Sequence, residues 1–235
     1  MSREANSNGA QTLLIDADDT LWENNIYFED AFDEFVDFLG HSSMSAVEVR
    51  VVLDEIETAN IKIHGYGAAN FARGLAQCYE RLAEGEIRRD DLARVMSFAE
   101  RILDCPMQLI EGVAPTLEYL STRHELTLFT KGHPEEQKLK IDRSGLGAYF
   151  SHTAIVREKD AAAYASLARE RDLDAQRTWM VGNSPKSDIN PALEAGLKAV
   201  YIPHPRTWSL EHEEIQQANG RLLVLENFAG LRRHF

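Results

Sequence analysis

Thr12-Leu13-Leu14-Ile15-Asp16-Ala17-Asp18-Asp19-Thr20 is the stretch that decides how this chain is read. An apolar run this short, stopping at acidic residues, is the pattern of a buried parallel strand with functional groups at its C-terminal end. A spacing of two in extended chain sets Asp16 and Asp18 on one face. Two carboxylates so placed repel, and one pKa rises unless a cation intervenes. A hard dication such as magnesium relieves the repulsion through oxygen ligands. The competing reading of Asp18, Asp19 and Thr20 is a plain turn or helix cap, and the rest of the chain has to decide between them.

Working outward, the 235 residues carry 38 acidic and 25 basic side chains, a net charge of −13. That excess argues against nucleic acid as a bulk partner, which needs basic surface to displace phosphate counterions. It leaves room for a small phosphorylated metabolite, because one local site can be positive or metal-loaded on an acidic protein. An apolar share of 44% is that of a globular protein, enough for one large domain or for a core with an insertion. Cys78 and Cys105 are too few for a disulfide framework and lack zinc-finger spacing, so they read as reduced thiols of a cytoplasmic protein. No stretch has the roughly 18 apolar residues of a membrane span. Met1 to Ala10 lacks an apolar signal core, and residues 1–11 read as a loose tail.

After Trp22 the pattern is helical. Phe28, Phe32, Phe35, Val36 and Leu39 recur at helical spacing before Gly40, and Val47–Ile61, Phe71–Leu82 and Leu92–Leu103 continue as amphipathic helices. From Gly112 strands and helices alternate. Strands are expected at Leu126–Phe129, Thr153–Val156, Thr178–Val181 and Ala199–Ile202, with a small last one at Leu222–Leu225. Helices are expected at Pro115–Ser121, Pro134–Arg143, Ala161–Glu170 and Asp188–Ala195. Alternation of this kind implies a parallel sheet covered on both faces. The fold class is therefore α/β: a Rossmann-like three-layer core of residues 12–21 and 109–235, with a helical insertion of residues 22–108.

In open parallel sheets, ligands sit at the C-terminal ends of the strands. Asp16, Asp18, Thr130 and the loop Gly182-Asn183-Ser184-Pro185-Lys186-Ser187-Asp188 all fall on that rim, and Lys159 lies in the loop before the helix at Ala161. A hydroxyl at Thr130, with backbone amides at a helix start, can hold phosphate oxygens. Lys131 follows it, either solvated or lining the site entrance. Lys159 can neutralise charge on an aspartate nucleophile and a transferring phosphoryl group. Its competing reading is a surface lysine, with Arg157 and Glu158 beside it. Asp188 can take a metal or its waters, Asn183 can hold a metal-bound water, and Ser187 can simply cap the next helix.

These four ordered segments resemble the motifs of the haloacid dehalogenase (HAD) superfamily across roughly residues 12–202. The resemblance implies Asp16 as nucleophile, Asp18 as acid/base, Thr130 as phosphate contact and Lys159 as charge neutraliser. It implies a magnesium ion held by Asp16, by the backbone carbonyl of Asp18 and by Asp188, with Asn183 adding an oxygen. Two positions depart from the pattern: Asp19 stands where glycine is common, and Asn183 where aspartate is common. Aspartate tolerates left-handed backbone better than most residues.

The implied activity is a magnesium-dependent phosphatase acting on a small phosphomonoester through an aspartyl-phosphate. The alternatives are a non-catalytic phosphate-binding protein of the same fold, a phosphomutase, and a dehalogenase. Retention of Asp18 and Asp188 disfavours the dehalogenase. A receiver domain of a signalling pair is about half this size and has no helical insertion here. The insertion resembles the family's helical cap, and Lys62, His64 and Tyr66, between Ile61 and Gly67, are its expected substrate contacts. The expected state is a monomer or homodimer with no membrane partner.

Overall fold

The computed structural model describes residues 9–235; most of the expected N-terminal tail lies outside that range. The chain divides into two compact units, the chain up to Glu23 with Met107–Phe235, and Asn24–Pro106. The division falls two residues inside the boundaries expected from the sequence. Trp22 pairs with Leu109, and the Glu23 N–H donates to the Gln108 carbonyl, so both chain crossings are tied into the α/β unit.

The α/β unit is built on a six-stranded, all-parallel sheet. Its strands are β1 (Thr12–Ile15), β2 (Glu125–Lys131), β3 (His152–Val156), β4 (Thr178–Gly182), β5 (Lys198–Tyr201) and β6 (Leu222–Val224), in the order β3-β2-β1-β4-β5-β6. Side chains alternate across the sheet, as a period of two requires. Leu13, Ile15, Leu126, Leu128 and Val181 face one layer, with Leu117 and Leu120 of a helix at Val113–Ser121. Leu14, Phe129 and Met180 face the other, against Tyr164 and Leu167 of a helix at Ala161–Glu170. These are the three layers expected from the alternating pattern. Strand order reverses between β1 and β4, the switch point where open sheets place their ligands.

The helical unit holds α1 (Asn25–Leu39), α2 (Ala46–His64), α3 (Ala68–Leu82) and α4 (Arg89–Glu100), around Phe35, Leu53, Leu75, Cys78 and Val95. In chain order the α/β unit then adds α5 (Val113–Ser121), α6 (Pro134–Ser144), α7 (Ala161–Glu170) and α8 (Asn190–Glu194). Helix α2 starts on a reciprocal cap between Ser45 and Glu48, and α1 stops at Gly40 in left-handed conformation. Lys62 and His64 are exposed on the last turn of α2, and Tyr66 is half-buried in the Gly65–Gly67 turn.

Two expectations change. Strand β2 runs on to Lys131, so Thr130 lies within the strand. The helix expected at 188–195 is a π-type turn, Pro185–Ile189, followed by the short α8. Pro191, in the first turn of α8, has no N–H for the Ser187 carbonyl four residues back. The Tyr164 hydroxyl donates to that carbonyl instead, at 2.9 Å.

Candidate active site

Asp16 ends β1, and its N–H extends the ladder by donating to the Val181 carbonyl of β4 at 2.9 Å. The chain then turns over Ala17, whose carbonyl accepts from the Thr20 and Leu21 N–H groups. Asp19 sits in that turn at φ 58°, the left-handed conformation that its place in the motif demands. On the next strand, Gly182 lies against the Asp188 carboxylate. A Cβ at residue 182 would come within 2.2 Å of Asp188 Oδ2, so only glycine lets that carboxylate lie there.

The centre of the site is a buried triad. The Lys159 ammonium is only 3% exposed and lies between the Asp16 and Asp188 carboxylates, hydrogen-bonded to Oδ1 of each. The surface-lysine reading is thereby excluded. Asp160 caps α7 through the Ala163 N–H, and this fixes the loop that brings Lys159 inward. Burial raises the Asp16 pKa to about 7; Asp188 adds to the rise and Lys159 opposes it. Burial alone would lower Lys159, but Asp16 and Asp188 outweigh it and hold the ammonium above its usual range. Asp188 Oδ2 accepts from the Ser184 N–H at 2.9 Å. The Thr20 hydroxyl lies 3.0 Å from Asp16 Oδ2 and 3.1 Å from Asn183 Oδ1, one proton between two acceptors.

Asp18 does not join this triad through its side chain. Its carboxylate accepts from Lys140 Nζ at 2.8 and 2.9 Å, Trp22 Nε1 at 2.7 Å and Gln137 Nε2 at 3.0 Å. Gln137 also donates to the Thr130 hydroxyl at 2.7 Å, joining two of the expected site residues. Lys131 Nζ reaches Glu211 at 2.6 Å and Ser187 at 2.8 Å. The sequence reading missed Gln137, Lys140, Tyr164 and Glu211. Gln137 and Lys140 carry a weak signal, two polar residues three apart on the helix that follows Thr130. Asp19, Glu23 and His204 also gather, with ligand atoms within 4.8 Å of one another. There the Arg206 N–H donates to His204 Nδ1, which leaves Nε2 as the N–H that faces Glu23 at 3.4 Å.

The sequence model of the haloacid dehalogenase-like hydrolase family matches residues 10–196. A haloacid dehalogenase-like hydrolase from Xanthomonas campestris is 30% identical; the match covers 96% of this chain and 90% of that one, with a TM-score of 0.82. The HAD hydrolase YfnB from Bacillus subtilis, in a magnesium-bound structure, is 16% identical over 96% of this chain and 98% of its own (TM-score 0.69). The 2-haloacid dehalogenase from Pseudomonas syringae is 22% identical over 95% and 97% (TM-score 0.60). No curated protein matches the chain. The fold and its rim of ordered motifs define a hydrolase of the HAD type. The chain belongs to the haloacid dehalogenase-like hydrolase family.

Proposed function

We propose that this hydrolase is a magnesium-dependent phosphatase of a small phosphomonoester. The observation that carries the reading is the buried Asp16–Lys159–Asp188 triad, with Asp18 held beside it on a separate set of donors. Asp16 attacks phosphorus while the bond to the leaving oxygen breaks, and Asp18 gives that oxygen a proton. Water then attacks the aspartyl-phosphate, Asp18 takes its proton, and the bond to Asp16 breaks to release inorganic phosphate. Lys159 offsets the charge of nucleophile and phosphoryl group, and Thr130 contacts the phosphate oxygens.

The donor set suits magnesium. Asp16 and Asp188 offer hard carboxylate oxygens, and bare backbone at Gly182 makes room for the second of them. Asp16, Asp188, the Asp18 carbonyl and Asn183 would hold the ion. When bound, it supplies Lewis-acid stabilisation of the phosphoryl oxygens. Lys131 is the proposed residue at the site entrance, and Lys62, His64 and Tyr66 of the helical unit are the proposed readers of the leaving group, on the family's pattern of a helical cap inserted at this point. Among the described residues no helix is long and apolar enough to cross a membrane.

A dehalogenase reading rests on the likeness to the Pseudomonas syringae enzyme. One assay separates the two: phosphate release from p-nitrophenyl phosphate with magnesium, beside halide release from 2-chloropropionate. Phosphate release by the wild type and none by Asp16→Asn is expected. Equal phosphate release by both proteins, or halide release alone, refutes the proposal.

A further inference from the structure

The family match ends at residue 196, yet the segment between β5 and β6 reaches back into the rim. Glu211 is 7% exposed and both of its oxygens are engaged. Oε1 accepts from Lys131 Nζ at 2.6 Å; Oε2 accepts from the Ser184 and Ser187 hydroxyls, each at 2.5 Å. Ser184 is the residue whose N–H orients the Asp188 carboxylate, and its hydroxyl also accepts from the Ser187 N–H at 2.9 Å. Four residues upstream of Glu211, the Thr207 hydroxyl accepts from Asn183 Nδ2 at 3.0 Å, which aims Asn183 Oδ1 at Thr20. One loop thus fixes both ends of the turn that carries Asn183 and Asp188, and ties that turn to the residue after Thr130.

We infer that Glu211 is a positioning residue for the metal-binding turn, holding Asp188 toward the magnesium position from outside the family's four motifs. The inference rests on the phosphatase reading above. The chemistry is that of an outer-shell partner: a ligating carboxylate is itself held by hydrogen bonds, and loosening them degrades metal affinity. A buried carboxylate is tolerated because two hydroxyls and one ammonium meet it. Burial would raise its pKa, and Lys131 with the two hydroxyls outweighs that.

The test uses the full-length protein stripped of metal, as wild type, Glu211→Ala and Glu211→Gln. Magnesium binding is measured by calorimetry, and p-nitrophenyl phosphate turnover is measured separately. Glu211→Ala is expected to bind magnesium about 10-fold or more weakly and to lose a comparable factor in kcat, with KM for the aryl phosphate within about threefold. Glu211→Gln keeps one acceptor oxygen and should fall between the two. If Glu211→Ala does not fold by circular dichroism, Glu211→Gln is read by the same criterion, alone and with Lys131→Met. Its penalty should shrink once the ammonium is gone. Wild-type magnesium affinity in the folded variant overturns the inference, as does a wild type that binds no magnesium. A wild type that binds magnesium but releases no phosphate sinks the phosphatase reading alone, because the calorimetry still decides Glu211.

Discussion

Glu57 is a carboxylic acid in the wrong place for its charge. It lies on α2 inside the helical unit, 8% exposed, and its Oε2 has no hydrogen-bond partner. Arg50, the cation paired with it, stays 4.0 Å away and is spread over the Phe32 ring, 3.6 Å from its centroid. Burial pushes the carboxyl up to about 8 from an ordinary 4.5, with Asp54 adding to the rise and Arg50 opposing it. The fold therefore binds a proton that the unfolded chain releases. A folded pKa above the unfolded one means stability is full below pH 4.5 and is lost as pH rises toward 8. At about 1.4 kcal/mol per pH unit, the protein forfeits about 3 kcal/mol between pH 4.5 and pH 7.

Glu57→Gln removes the titration while keeping the shape. The variant should match the wild type near pH 4.5 and exceed it by about 3 kcal/mol at pH 7, the gap widening until about pH 8. Guanidinium unfolding followed by far-UV circular dichroism across that range reads the difference. Parallel curves refute the argument. A less stable variant at pH 7 refutes it more strongly, since it would mean an ionised Glu57 that gains from Arg50.

Two further outcomes follow from the site. Lys159→Met leaves the buried Asp16 and Asp188 carboxylates facing one another without their cation; it should cost about 3–5 kcal/mol, part of it restored by magnesium, as measured by melting with and without the ion. Lys140→Met removes the ammonium that grips both Asp18 oxygens, and should lower kcat about 10-fold or more while leaving KM nearly unchanged, in steady-state kinetics.

The fold was legible because its signals are local. Leu13, Leu14 and Ile15 alternate between the two faces of the sheet, and that much is written in a four-residue run. The helix expected at 188–195 is present as α8 at Asn190–Glu194, but the π-type turn before it was not legible: Pro191 was in plain view, whereas the hydroxyl that meets the Ser187 carbonyl comes from Tyr164, on another helix. The site was legible where a motif concentrates it. Asp16, Asp188 and Lys159 converge as their order suggested, even though Lys159 looks like any loop lysine between Glu158 and Asp160. Gln137, Lys140 and Glu211 were not, because each reads as an ordinary polar residue until the topology folds it onto the rim. Glu211 meets a lysine 80 positions away, and no periodicity encodes such a pairing.

The topology also orders events during synthesis. Strand β1 ends in Asp16, the proposed nucleophile, and sits at the centre of the sheet, with β2 on one side and β4 on the other. Thr12 pairs with Glu125 and with Thr178, so β1, made before both partners, waits for the whole helical unit, then for β2, and finally for β4 before its ladder closes. Until β2 arrives Leu13, Leu14 and Ile15 have neither neighbour, and until β4 arrives they have only one. Such long loops close late, after the local helical contacts of α1 to α4 have formed. An unpaired apolar strand in a nascent chain is an aggregation hazard, one that chaperones exist to cover. In this protein the strand that ends in Asp16 is made before both of its partners, and it is secured only when the second of them arrives.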